Sequence, residues 1–223
     1  MHNEQTRSVL LDAAEQLVER NGAESLSVRR VADEVGTSTR AVYSLFGSRA
    51  GLVDALGSRA FEWLAGALDA QVLTGDPVAD LIDAGACVFR RLVVEHPGLL
   101  QIGVQRPKAT AGTHTHRAAE RALAHLLSRL ERLQDAGMLR DQSPRQAAWQ
   151  FHALCEGLAA LELRGDLPTQ EEEPAWRVAL TTLVRGMLAP VPAQGPQDVG
   201  IQTRPRVRDS LSSPQRRCAP VAD

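Results

Sequence analysis

The sequence predicts an all-α protein, with an N-terminal three-helix bundle and a larger helical domain behind it. Three observations carry this. Ala, Leu and Arg fill the periodic segments, while β-branched residues are thin and aromatics make up only 4% of the chain, a balance that favours helix over strand. Apolar residues recur at spacings of three and four. The connections between the first segments hold only a few residues, as helical bundles prefer. At 223 residues the chain makes one large domain or two modest ones.

The first helix begins near Thr6, carries Val9, Leu10, Ala13, Ala14, Leu17 and Val18 on one face, and closes at Asn21-Gly22. Ser27 caps a second, short helix to Val35, with Val28, Val31, Ala32 and Val35 inward. Gly36 turns the chain, and Thr37 or Ser38 caps a third helix ending near Leu45-Phe46-Gly47. Ser48 caps a long fourth helix running through Leu52, Leu56, Ala60 and Trp63 to about Val72. Thr74-Gly75-Asp76-Pro77 is a break, with Asp76 as N-cap and Pro77 at the first position of a helix that stops at His96-Pro97-Gly98. A short apolar turn, Leu99 to Val104, and a polar loop, Arg106 to Thr113, follow. Helices are then expected from His114 to Asp135, from Ser143-Pro144 to Arg164-Gly165, and from Pro174 through Met187. From Pro190 to Asp223 periodicity is lost and Pro, Gln, Gly, Arg and Ser dominate, which predicts a disordered tail at 190–223. The expected domains are therefore 1–50 and 51–189, with that tail behind them.

Composition narrows the function classes. The formal net charge is −2, so any affinity for nucleic acid must come from a local constellation. Three widely spaced cysteines give neither metal spacing nor a disulfide framework, which fits a reducing cytoplasm. No apolar run suggests a signal peptide or a membrane span, so the expected location is cytoplasmic. No nucleophile–base pair, phosphate loop or metal spacing supports an enzyme, and no cofactor or metal is expected. His114-Thr-His116 and His152 with Cys155 and Glu156 read as ordinary polar or packed residues rather than ligands.

The stretch GTSTRAVYSLFGSRAGL, Gly36 to Leu52, is polar in its first turn and apolar at Val42, Leu45 and Phe46. Two short helices joined by so tight a turn have the proportions of a helix-turn-helix, whose second helix meets bases with its first turn. Thr37, Ser38, Thr39 and Arg40 are donors at a helix N-terminus, where backbone N–H groups also favour phosphate. Arg40 suits guanine O6 and N7, Thr39 a base edge or thymine methyl, and Tyr43 a phosphate. From Met1 to Ala50 six arginines stand against seven acids, but four of the arginines fall between Arg29 and Arg49, so positive charge is placed rather than abundant.

The succession S-V-R-R-V-A-D-E-V-G then T-S-T-R-A-V-Y-S-L-F-G-S-R-A-G-L resembles the DNA-binding domain of the TetR family of transcriptional regulators, over about Gln5 to Leu56. Against that family's usual text, Thr37 stands for Val, Arg40 for Gly, Leu45 for His, Arg49 for Lys and Ala50 for Glu. The resemblance implies phosphate contacts from Ser27, Tyr43 and Arg49 and base reading by Thr39 and Arg40. It further implies a homodimer on a pseudo-palindromic double-stranded operator, most simply a repressor released by a small apolar effector. The helix AAWQFHALCEGLAALEL is apolar on nearly its whole circumference and must be covered on two sides. Trp149, Leu154, Leu158 and Leu161, with Trp176, Leu180, Leu183 and Met187, are the expected dimer residues. Trp63, Phe89, Phe151, His152 and Cys155 are the expected effector-pocket residues. Trp149, His152 and Gly157 resemble the W-H-G pattern of one TetR branch. The rival reading is a helical metabolite-binding protein or enzyme that does not bind DNA.

Overall fold

The computed structural model describes residues 2–105, 111–167 and 175–189. The expected tail at 190–223, Pro174 and most of the loop after Val104 lie outside them. Helices α1 (His2–Asn21), α2 (Val28–Val35), α3 (Thr39–Phe46) and α4 (Arg49–Asp69) open the chain, with a 3-10 turn at Ala23–Ser25 after α1. The caps are those the sequence implies. Ser27, Ser38 and Ser48 each accept a hydrogen bond from the backbone N–H three residues on, worth about 1 kcal/mol apiece.

Asp76 caps α5 (Pro77–Asp83), which runs through a π-helical turn (Ala84–Phe89) into α6 (Arg90–Glu95). The expected apolar turn at Leu99–Val104 is instead a helix, α7 (Pro97–Gly103). Its first N–H groups are satisfied from afar: the Glu19 carboxylate on α1 accepts from Gly98 N at 2.8 Å and Leu99 N at 3.0 Å. Seven residues are too few to signal a helix alone, and tertiary capping supplies what the local sequence lacks. α4 ends at Asp69, short of the expected Val72, which is exposed. α8 (His114–Asp135), α9 (Pro144–Leu163) and α10 (Ala175–Met187) complete the fold. Among the described residues there is no strand, only an isolated bridge between Leu139 and Leu188.

Two apolar cores meet along α4. The first joins Leu10, Leu17, Val31, Val42 and Phe46 to Leu52, Leu56 and Ala60 of α4 and to Leu99 and Ile102 of α7. The second takes Leu64 and Leu68 of α4 with Leu81, Phe89, Leu92, Leu130, Phe151, Trp176 and Leu180. The boundary expected between residues 50 and 51 thus falls at the start of a helix that serves both cores. Glu162 ties the second core together, accepting from Arg90 Nη2 at 2.7 Å and from Trp176 Nε1 at 2.6 Å.

One expectation fails here. Trp176, Leu180, Met187 and Leu158, expected at a dimer interface, are buried inside the protomer's own core. A short helix that must cover a core spends its largest apolar side chains inward. Cys155 is free and buried.

Candidate functional site

The geometry of α2 and α3 follows from two glycines. Gly36 holds φ at +69°, a left-handed turn that residues with a Cβ rarely adopt, and Thr37 N closes the end of α2 onto the Ala32 carbonyl at 2.9 Å. Gly51, in the first turn of α4, lies so close beneath α3 that a Cβ would land on the Phe46 carbonyl. α3 is therefore clamped at both ends. Val42 and Phe46 are buried on its inner side, with Leu45 half-buried beside them.

The other side of α3 faces outward. Ser38, Thr39, Arg40 and Tyr43 are exposed, Tyr43 to 50%. Thr37 and Ser27 are half-buried. The Ser38 and Ser27 hydroxyls accept from Ala41 N and Arg30 N, so both act as caps. The side chains of Arg40 and Tyr43 have no hydrogen-bond or ion-pair partner among the described residues. Arg49 is exposed but anchored, donating from Nε to the Leu26 carbonyl at 3.2 Å. That bond brings Arg49 to the loop just before α2 and places it with Ser27 on one side of α3. Two arginines counted in the sequence were not among its expected contacts. Arg7 of α1 lies over the Phe46 ring, 5.2 Å from its centroid, and Arg30 donates to the Ser25 carbonyl at 3.3 Å. The placement of Arg7 depends on how α1 crosses the pair, which spacing does not reveal.

A cavity of about 630 Å³ opens within the second core, between α4, α8, α9 and the π-helical turn. Phe89, Phe151, His152 and Cys155 line it, as does Trp149, which is 64% exposed. Trp63 does not: it turns to the opposite side of α4, edge-on to His96 at 5.2 Å and beneath the Arg91 guanidinium at 4.9 Å. Burial pushes the Cys155 thiol up and the nearby Glu156 adds to the shift, so it is no thiolate nucleophile. His152 is half-exposed rather than buried and pairs with Glu156 at 2.9 Å. The α8 side of the cavity, including His116, Glu120, Leu123 and Leu127, was not foreseen, because an apolar stripe reads the same whether it meets a neighbour or a void. Among the described residues no cluster of His, Cys, Asp or Glu could hold a metal ion, and no helix is long and apolar enough to cross a membrane.

A three-helix unit presenting a polar, fixed third helix, joined through a shared α4 to a helical body with an internal cavity, defines the helix-turn-helix regulators. Residues 10–56 match the model of bacterial regulatory proteins of the tetR family, and residues 82–183 that of the tetracyclin repressor-like C-terminal domain. The chain belongs to the TetR family, whose members are DNA-binding transcription regulators and not enzymes.

Solved structures agree in fold. A Rhodococcus sp. RHA1 protein of unknown function is 25% identical, with 82% of this chain and 95% of that one covered at a TM-score of 0.68. The TetR family transcriptional regulator PfmR from Thermus thermophilus is 20% identical, with 79% and 97% covered at 0.57. RolR, solved in complex with resorcinol, is 20% identical, with 83% and 89% covered at 0.62. No curated protein is significantly similar to the chain.

Proposed function

We propose that the protein is a homodimeric repressor that leaves a pseudo-palindromic operator when a small, largely apolar effector fills the C-terminal cavity. The observation that carries this reading is the two-sidedness of α3. Val42 and Phe46 fix it, while the side chains of Thr39, Arg40 and Tyr43 stand exposed beside one another with no partner among the described residues. Thr39 and Arg40 read base edges. Tyr43, Arg49, Ser27, Thr37, Ser38 and the N-termini of α2 and α3 hold phosphates. Residues 1–50 form the DNA-binding unit and 51–189 the effector and dimer unit.

The dimer face is the part of α9 and α10 left open. Ala153, Gly157 and Leu161 form a stripe on α9, and Val178, Thr182 and Gly186 one on α10; all are exposed. A Cβ at Gly157 or Gly186 would meet nothing within 4 Å among the described residues. Glycine inside a helix costs about 0.5–1 kcal/mol against alanine, and close approach of a second copy accounts for it. The effector acts by favouring a separation of the two recognition helices that departs from the helical repeat of about 34–36 Å. RolR, a fold relative, is solved with resorcinol, in keeping with a small molecule in this cavity.

Gel shifts on DNA upstream of the protein's own reading frame test the reading. A salt-sensitive, sequence-selective complex of two protomers per site is expected, lost in the Arg40→Ala/Tyr43→Ala double variant. A folded protein that forms no such complex contradicts it.

A further inference from the structure

The charged groups lining the cavity suggest what an occupant looks like, provided that the cavity is the effector site proposed above. From His116 to Leu127 the lining follows α8, and from Arg145 to Glu156 it follows α9, a rise of about 16 Å in each case. α8 and α9 form a hairpin, so they run in opposite directions. Arg145 therefore stands toward the Leu127 end, and Glu156 toward the His116 end. Between Arg145 and the cluster of His116, Glu120, His152 and Glu156 the wall is apolar.

The cavity is lined by two carboxylates, and both are already engaged. Glu120 pairs with His116 at 3.3 Å and Glu156 with His152 at 2.9 Å. Arg145 is the one lining cation with neither a hydrogen bond nor an ion pair among the described residues. It also sits in the first turn of α9, where the helix end favours negative charge. Arg145 is exposed, so it stands at the rim of the slot, open to solvent. An apolar slot with paired acids and one rim guanidinium free of protein partners among the described residues is complementary to an anion on a long apolar body. We infer that the effector is an elongated apolar carboxylic acid whose carboxylate meets Arg145 and whose body lies between α8 and α9. Arginine receives a carboxylate through two parallel N–H donors, which an alcohol cannot reproduce.

Calorimetry on the full chain tests this with three probes sharing one tail, decanoate, decanol and decyltrimethylammonium, below micelle formation. Decanoate is expected to bind at least about tenfold more tightly than decanol, with the cation weakest. Arg145→Gln removes the preference and leaves decanol binding unchanged. Ala119→Phe, which fills the slot from α8, weakens all three. Equal binding of the three probes, preference for the cation, or a decanoate preference that survives Arg145→Gln overturns the assignment while leaving the cavity a ligand site. Binding by none of them, or binding indifferent to Ala119→Phe, overturns the effector site itself.

Discussion

The Asp54 carboxylate on α4 accepts from the backbone N–H groups of His114 and Thr115, both at 3.1 Å, while Thr115 Oγ1 donates to the Asp54 carbonyl at 2.7 Å. One residue of the helix that leaves the DNA-binding unit thus caps the helix that lines the cavity. Gly57 makes room, since a Cβ there would come within 2.7 Å of Thr115 Oγ1. Asp54 lies little more than a turn from Arg49, and Thr115 is next to His116. Asp54→Asn puts a donor where an acceptor is needed, and a loss of about 1–3 kcal/mol is expected, read by urea unfolding at neutral pH. Unchanged stability would mean that water replaces the cap.

The same residue sets an acid limit. Burial alone would raise the Asp54 carboxyl, but hydrogen bonds from Thr115, His114 and Thr113 more than offset it and hold it below its ordinary value. Asp80, buried in the second core, behaves alike: burial raises it, and Thr74 and Arg132 together lower it further. A carboxyl depressed by folding contributes stability above its unfolded value of 3.8 and loses it as pH falls through the lower folded value. The folded protein is therefore expected to weaken below about pH 4, and thermal unfolding of Asp54→Asn should fall less steeply there than wild type.

On the recognition helix, Arg40→Ala is expected to cost about 1–3 kcal/mol in operator affinity and to relax preference at one base position. Tyr43→Phe should weaken all sequences alike. Anisotropy titrations over a panel of single-base variants separate the two. Equal losses at every position for Arg40→Ala would make it a phosphate contact.

At the proposed dimer face, Gly157→Glu introduces a charge at a position where a Cβ meets none of the described residues. Sedimentation should show monomer at micromolar concentration with the helical circular dichroism retained. A dimer that persists would move the interface elsewhere.

Much of this architecture is legible in the sequence because its signals are local. Ser27, Ser38, Ser48 and Asp76 cap helices at the positions their spacing implies, and the polar first turn of α3 already sets it apart. What is not legible is nonlocal. α7 is a helix because Glu19, far off in sequence, caps it. Trp176 and Leu180 point inward rather than to a partner, and Trp63 away from the cavity, because helix rotation is decided by neighbours. His116 with Glu120 and His152 with Glu156 show a spacing of four, yet nothing in that spacing says that both pairs border one void.

The central claim, that the exposed side of α3 recognises an operator, is tested most directly by selecting bound duplexes from a random pool with the full-length protein. Enrichment of an inverted repeat whose affinity falls steeply as salt rises is expected, with no enrichment by the Arg40→Ala/Tyr43→Ala double variant. A well-folded wild-type protein that enriches no sequence, or a double variant that enriches the same one, would contradict it.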